Sequence, residues 1–171
     1  MADERLERFK AAFQKEAAAS DWQTLHALIA ATRDGWADAV NGLREADAPP
    51  GPQDGEWSPW HVCNHVAAWL QQAAKALERA AAGESTNLGP NQAWLSDGHA
   101  VSGLLAGAAE GWERLLSAVE AAGKSADAAA LISHRIFGDL QPSEYTVFSA
   151  RHMATHVTQM RELRGLAPAE R

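Results

Sequence analysis

The sequence predicts an all-α protein, a four-helix bundle preceded by a short N-terminal helix. Four segments carry apolar residues at every third or fourth position, the spacing that places them on one face of a helix. Stretches that contain proline and glycine separate these segments, as turns do. No segment shows convincing strand character. We therefore expect a helical lead-in over residues 1–19 and a single bundle domain over residues 20–171.

The lead-in helix and the first bundle helix are predicted from apolar spacing and capping residues. Leu6, Phe9 and Phe13 recur at helical spacing, which predicts a short amphipathic helix that packs on the rest of the chain. Ser20 and Asp21 then offer N-cap oxygens to a long periodic run. The inward positions of that run are Trp22, Leu25, Ile29, Thr32, Trp36, Val40 and Leu43.

Clear start and stop signals delimit the second and third bundle helices. The segment 48–55 ends the first helix, because its prolines remove amide donors and its glycines favour turns. Ser58 followed by Pro59 predicts the start of the second helix, and Gly83 predicts its end. Its inward stripe comprises Val62, Val66, Trp69, Ala73 and Leu77. After a polar loop over 84–98, the third helix carries Leu104, Leu105, Ala108, Trp112, Leu115 and Val119 on one face.

A long connection over 123–142 leads to the last helix. Its weak apolar patch of Leu131, Ile132, Ile136 and Phe137 predicts a short helix or a turn. We expect Ser143 to cap the last helix, which glycine and proline close at positions 165 and 168. The inward stripe of this helix is Tyr145, Phe148, His152, His156, Gln159 and Leu163.

Composition and charge restrict the classes of function. A net charge of −7 with scattered lysines and arginines provides no basic face for phosphates, so nucleic acid and anionic membranes are not expected partners. The single cysteine, Cys63, cannot form an internal disulfide. There is no apolar run that would serve as a signal peptide or span a bilayer. We therefore expect a cytoplasmic protein that acts on a small molecule.

Two pairs of histidines stand four residues apart, His61/His65 and His152/His156. Residues at i and i+4 lie one above the other on a helix, so both imidazoles of a pair can reach one ion. The second pair is on the stripe expected to face the core, where an unpaired ring is costly to bury. From these two residues alone, a hydrogen-bonded core pair is as good an interpretation. With His65 as a third ligand, three neutral imidazoles and an open position would form a divalent-ion site of the catalytic type.

Two motifs resemble those of the DinB/YfiT-like metalloenzyme family, which includes thiol-dependent S-transferases. The segment WSPWHVCNHVAAW is similar to the W-S-x-x-x-x-x-x-H opening of the family's second helix, and HMATHVTQ to the H-x-x-x-H-x-x-Q pattern of its fourth. The matching residues are Trp57, Ser58, His65, His152, His156 and Gln159. The helix order agrees over roughly residues 20–165. The resemblance implies an up-down-down-up bundle, a three-histidine metal site and a homodimer.

Other residues near these motifs have open roles, and none is assigned as catalytic. His61 stands where the family often has an acidic residue; it could be a fourth ligand, a ligand-orienting group or a proton relay, but an exposed first-turn histidine is the simpler expectation. Gln159 could orient a ligand ring, contact substrate or be a polar core residue. Tyr145 could donate to a bound group or close the end of the bundle. Cys63 is predicted to point away from the ion. Histidines without a partner at ligand spacing, expected to be surface or hydrogen-bonded residues, are His26, His99 and His134.

The expected chemistry is that of a metal ion without a protein nucleophile beside it. A zincin protease would place a glutamate after the first histidine of a pair, but Val62 and Met153 occupy those positions. No Ser-His-Asp or Cys-His arrangement stands out. An open ion can acidify a bound water or deprotonate an incoming thiol. The resemblance implies the second route, a transferase in which a low-molecular-weight thiol such as mycothiol, bacillithiol or glutathione attacks a small electrophile.

Two alternatives are open from the sequence. One is metal-dependent hydrolysis of a small amide or ester, which needs a base such as His61 near the water. The other is a non-catalytic stress-protection protein in which the metal anchors a ligand. Imidazole ligands suit zinc, nickel, iron and copper alike, so they leave the identity of the ion undetermined.

Overall fold

Helices dominate the computed structural model, which describes residues 2–51, 56–89, 93–95, 98–125 and 130–167. Within these residues the α-helices are α1 (Ala2–Ala18), α2 (Trp22–Val40), α3 (Pro59–Ala81), α4 (Val101–Lys124) and α5 (Pro142–Leu163). α2 and α3 each pack against both α4 and α5, which makes these four helices a bundle. The predicted all-α bundle with an additional N-terminal helix is confirmed.

The starts of α2 and α3 follow the predicted signals. The Oδ1 atom of Asp21 accepts a hydrogen bond of 2.7 Å from the backbone N–H of Thr24, so Asp21 is the N-cap of α2. Ser58 is the N-cap of α3, with Pro59 at the first helical position. The Ser20 hydroxyl donates instead to the Glu16 carbonyl in the last turn of α1.

The predicted cap of α5 is wrong. Gln141 is the N-cap and Pro142 occupies the first helical position, so Ser143 lies inside the first turn. The Oε2 atom of Glu144 accepts a 2.9 Å hydrogen bond from the backbone N–H of Gln141, which forms a capping box. This reciprocal pair satisfies an otherwise unpaired backbone amide, and Ser143 is therefore not needed for capping.

A small sheet contradicts the expectation that the chain has no strand. β2 (Ile132–His134) and β3 (Gly138–Leu140) pair antiparallel, with Ile132 opposite Leu140 and His134 opposite Gly138. β1 (Thr86–Asn87) pairs parallel with β2. The predicted short helix or turn over 131–137 is therefore a hairpin, closed by Gly138 at a φ of +66°. Strands this short do not produce the four to eight alternating positions that sequence analysis requires.

Helix α1 packs on the bundle through one aromatic residue. Phe13 is buried, with its ring centroid 5.3 Å from that of Phe137 and 5.9 Å from that of Phe148 on α5. Leu6 and Phe9, which were expected to pack in the same way, are 39 % and 49 % exposed. None of the described helices is both long and apolar enough to cross a membrane.

Candidate metal centre

Helices α3 and α5 bring three histidines together. His65 lies on the second turn of α3, while His152 and His156 lie one turn apart on α5. Each offers one ring nitrogen, and these three atoms lie within 4.8 Å of one another. The Nε2 atoms of His65 and His152 are 3.1 Å apart. This cluster could hold a metal ion, because each ring directs a potential ligand atom into the same small volume.

Hydrogen bonds to the far side of two rings determine which nitrogen is available. The Nδ1 atom of His65 is 2.8 Å from the carbonyl oxygen of Ala93, and that of His156 is 2.9 Å from Oε1 of Gln159. A carbonyl oxygen only accepts, so both Nδ1 atoms carry the proton and donate it. The Nε2 atoms of both rings are then left with a lone pair, the form that binds a metal. Gln159 therefore orients the ring of His156.

One buried nitrogen in this cluster lacks a protein partner. The Nε2 atom of His156 is buried and makes no hydrogen bond to any residue that the structure describes. Leaving a buried acceptor unpaired costs about 1–3 kcal/mol, so native proteins rarely keep one without a reason. A divalent ion among the three imidazoles would satisfy this lone pair. The residues present therefore fit a divalent metal ion.

Burial keeps the three imidazoles neutral at physiological pH. Desolvation, followed by the neighbouring His156 ring, lowers the pKa of His65 to about 4. Desolvation and the adjacent imidazoles lower the pKa of His152 to about 2, and desolvation also lowers that of His156. Protons therefore compete little with a metal ion for these nitrogens near pH 7.

Aromatic rings surround the three histidines. Trp57 stacks on His156 with centroids 5.8 Å apart and planes 13° from parallel. On the other side, His152 lies 4.5 Å from Trp69 and stacks on Phe148 at 5.7 Å. These contacts restrict the rotation of the imidazoles and lower the local polarity, which strengthens interactions with a charged ion.

His61 is not part of this cluster, and the expectation that it is exposed is wrong. The side chain is only 4 % exposed. Its Nδ1 atom accepts a 3.1 Å hydrogen bond from the backbone N–H of Ser58 and lies 2.7 Å from Ser58 Oγ. His61 thus takes the place that glutamate or glutamine usually has in a capping box. Gly51 and Trp94, distant in sequence, cover the ring.

The remaining candidates lie in the core or at the surface. Tyr145 is fully buried, and burial raises the pKa of its phenol. Cys63 is also fully buried, which raises the pKa of its thiol to about 12, and it is not a member of the histidine cluster.

His26 is half-buried on α2. His99 is exposed, and its backbone carbonyl accepts a 2.7 Å hydrogen bond from Trp60 Nε1. Neither His26 nor His99 is a member of the histidine cluster.

The sequence did not reveal that His134 lies beside this centre. It is buried on β2, with its ring centroid 4.8 Å from that of Phe148 and 6.3 Å from that of Trp69. Burial lowers the pKa of His134 to about 4. Its Nδ1 atom accepts from the backbone N–H of Ile136 at 3.3 Å, as expected for a hydrogen-bonded histidine. The glycine of the Phe137-Gly138 pair could have indicated a hairpin turn. It could not have indicated that the hairpin packs against α5, where His134 contacts Phe148.

A cavity of about 680 Å³ opens beside the histidines. Its size lies within the range of about 300–1,000 Å³ that is typical of small-molecule sites. The residues that line it nearest the centre are His65, Trp69, His134, Phe137, Phe148 and His152. His65 and His152 of the cluster therefore border a pocket that is large enough for an organic ligand.

Comparison with known proteins agrees with this arrangement. The family model for the DinB superfamily matches residues 28–160, a range that includes all three clustered histidines and Gln159. Neither a curated protein nor a solved structure matches the chain.

Proposed function

The chain belongs to the DinB superfamily, and from this membership and its three converging imidazoles we propose that it is a metal-dependent thiol transferase. In this proposal His65, His152 and His156 hold one divalent ion, and a low-molecular-weight thiol attacks a small electrophile. The main support for a bound ion is the Nε2 atom of His156, which is buried beside two other imidazoles and has no hydrogen-bond partner among the described residues. Three protein ligands leave a position open, as in catalytic rather than structural sites.

The nucleophile in this proposal comes from outside the chain. The described residues that line the cavity include no cysteine, serine, threonine or carboxylate. Cys63 is buried, and the pKa of its thiol is raised to about 12, so it is neither accessible nor ionised. A bound divalent ion would lower the pKa of a coordinated thiol, so that the thiol is held as thiolate at neutral pH.

Among the described residues, neither histidine that could act as a base near the centre is suitably placed or protonated, which favours thiol transfer over hydrolysis. The hydrolase alternative needs a pocket base such as His61, yet the Nδ1 atom of His61 accepts from the backbone N–H of Ser58. His134 lines the cavity, but its Nδ1 accepts from Ile136, so the neutral ring carries its proton on Nε2 and is a donor. Activation of a thiol by the ion itself needs no such base.

The proposed reaction is a nucleophilic substitution or addition at carbon. The sulfur lone pair forms a carbon–sulfur bond. In substitution, the leaving group departs with the electron pair of the bond that breaks. In addition to an activated double bond, the displaced electron pair takes up a proton from solvent. Ala93 and Gln159 keep the imidazoles oriented throughout, because their oxygens accept from the Nδ1–H groups of His65 and His156.

Thiol binding can be tested with cobalt(II) as a spectroscopic probe. Tag-free protein loaded with cobalt(II) is titrated with glutathione, mycothiol and bacillithiol, each in turn. We expect a sulfur-to-cobalt charge-transfer band that saturates with one of them. Cys63→Ala should retain the band, since Cys63 lies outside the cluster, whereas His65→Ala should lose it. If none of the three thiols produces a band, the proposal fails.

Turnover is tested with the same thiols and a panel of electrophiles that includes epoxides, alkyl halides and α,β-unsaturated carbonyl compounds. Metal-loaded protein should form the thioether, and His65→Ala should not. Saturable thiol binding without any product would favour a non-catalytic binding protein. Metal-dependent cleavage of small amides or esters without thiol would favour the hydrolase instead.

A further inference from the structure

Large apolar side chains that are exposed to solvent are concentrated at the cavity. Leu6, Phe9 and Ile136 are 39 %, 49 % and 48 % exposed, and all three line the cavity beside the histidines. The other exposed large apolar residues in the described part of the chain, Leu163 and Leu166, do not line it. Apolar side chains that converge on a pocket indicate a surface that a ligand covers.

One wall of the cavity comes from outside the region that matches the family. Leu6, Arg8 and Phe9 belong to α1, whereas the match begins at residue 28. This wall is therefore a feature of this chain that family membership alone does not provide. The walls of a pocket select its ligand, so α1 is in a position to determine specificity.

Contacts with α5 and the hairpin hold α1 in place. The Lys10 Nζ atom donates to the carbonyl oxygen of Phe137 at 2.6 Å. Glu16 forms a bidentate ion pair with Arg151 of α5, with a shortest distance of 2.7 Å. The packing of Phe13 on Phe137 and Phe148 adds an apolar anchor between these two polar ones. The wall is thus attached at several points and can present Leu6 and Phe9 to a ligand.

The polar groups of the cavity favour an anion. Two arginines, Arg8 and Arg135, line it, and the described lining includes no carboxylate. Arg8 pairs with Glu4 at 3.9 Å, but both side chains are highly exposed, so this pair is weak and exchanges readily. Arginine binds carboxylates in bidentate geometry. A ligand with an apolar body and a carboxylate therefore matches both features of the cavity.

We propose that this cavity binds a small aromatic carboxylic acid and that α1 selects it. The ring of the acid packs against Leu6, Phe9 and Ile136, and its carboxylate lies toward Arg8 and Arg135. The inference deepens the proposed function and rests on it in one respect, because an acid of this class that also carries a leaving group or an activated double bond would be the electrophile that the thiolate attacks. Binding of the acid itself requires neither the metal nor a thiol.

The test uses 2-naphthylacetate as probe and 2-naphthylacetamide as its neutral counterpart, with binding measured by isothermal titration calorimetry on full-length, metal-free protein. The acid should bind more tightly than the amide. Phe9→Ser should weaken binding of both about tenfold, because a half-exposed phenylalanine that a ligand covers contributes about 1.4 kcal/mol. Leu163→Ser is the matched control, since Leu163 is similarly exposed but does not line the cavity, and this variant should bind both ligands as the wild type does.

The charge component is tested by Arg8→Gln combined with Arg135→Gln. This double variant should bind the acid about tenfold more weakly than the wild type and the amide about equally well. Arg44→Gln, which lies away from the cavity, should change neither affinity. Equal affinity of wild type for acid and amide, or no effect of Phe9→Ser, would overturn the inference. Failure of the cobalt protein to take up a thiol would overturn the proposed function instead and would leave this binding result intact.

Discussion

The ring nitrogens of His65 and His152 face each other across α3 and α5, with their Nε2 atoms 3.1 Å apart. His65 donates its Nδ1 proton to Ala93, so its Nε2 is an acceptor. Without an ion, the Nε2 atom of His152 must therefore carry the proton that joins the two rings. If an ion binds all three Nε2 atoms, the proton on His152 must move from Nε2 to Nδ1. His65 and His156 already carry their protons on Nδ1 and need no such change.

This relationship predicts a change of tautomer at a single histidine. In metal-free protein, His65 and His156 should be Nδ1–H tautomers and His152 an Nε2–H tautomer. On addition of zinc, His152 should become Nδ1–H while the other two remain as they are. Long-range nitrogen–proton NMR spectra of protein labelled with ¹⁵N-histidine distinguish the tautomers. If the His152 signals are the same with and without zinc, its Nε2 is not a ligand.

The stability of metal-free protein should decrease on acidification. An unfolded histidine titrates near its ordinary value of 6.5, whereas burial lowers the pKa of His65 to about 4 and that of His152 to about 2. Below 6.5 the unfolded state therefore binds more protons, and the free energy of unfolding falls as pH decreases. From pH 7 to 5 each of these two groups should cost about 2 kcal/mol.

Urea unfolding at a series of pH values measures this dependence. His65→Gln should make the decrease between pH 7 and 5 smaller, because one of the contributing groups is removed. The buried-imidazole explanation is contradicted if the wild type is equally stable at both pH values.

Gln159 is predicted to set the metal affinity through His156. Gln159→Ala removes the oxygen that accepts from His156 Nδ1 at 2.9 Å, and the loss of such a partner typically weakens metal binding about 10- to 100-fold. Gln159→Glu retains an acceptor and should bind zinc at least as tightly as the wild type. Thr158→Ala, at an exposed neighbouring position, is the control. Competition with a chelating dye measures these affinities, and equal values for the alanine variants at 158 and 159 would exclude the orienting role.

The packing of α3 on α4 makes opposite predictions for two glycines of α4. A Cβ atom at Gly111 would lie 2.8 Å from Cβ of Leu70, whereas one at Gly107 would have no neighbour within 4 Å. Gly111→Ala should therefore destabilise the protein by about 1–3 kcal/mol, since the helices must separate. Gly107→Ala should stabilise it by about 0.5–1 kcal/mol, because alanine favours helix. Thermal unfolding measures the change in stability of each variant, and we expect a lower midpoint for Gly111→Ala and a higher one for Gly107→Ala. Midpoints that shift in the same direction would contradict the close approach of these helices.

The bundle and the histidine pair of α5 could be predicted because each depends on local patterns. Apolar spacing defines a helix within its own segment, and the four-residue separation of His152 and His156 places both on one face of α5. Their grouping with His65 is not local: it depended on two helices packing side by side and was supported by the resemblance to a known family.

The features that could not be predicted depend on segments distant in sequence. His61 is buried because Gly51 and Trp94 cover it, and nothing in its own helix indicates this contact. His134 reaches the centre through a three-residue strand, which is too short for a periodic signal. The wall that α1 adds to the cavity follows from tertiary packing, which left Leu6 and Phe9 exposed where their spacing predicted burial.

The metal content of protein prepared without an affinity tag tests the central claim most directly. Elemental analysis should find one divalent ion per chain in the wild type and in His26→Ala, since His26 lies outside the cluster. It should find none in folded His65→Ala. An ion that remains at full occupancy in His65→Ala, or a wild type that binds no divalent ion when it is offered in excess, would contradict a centre built from three imidazoles.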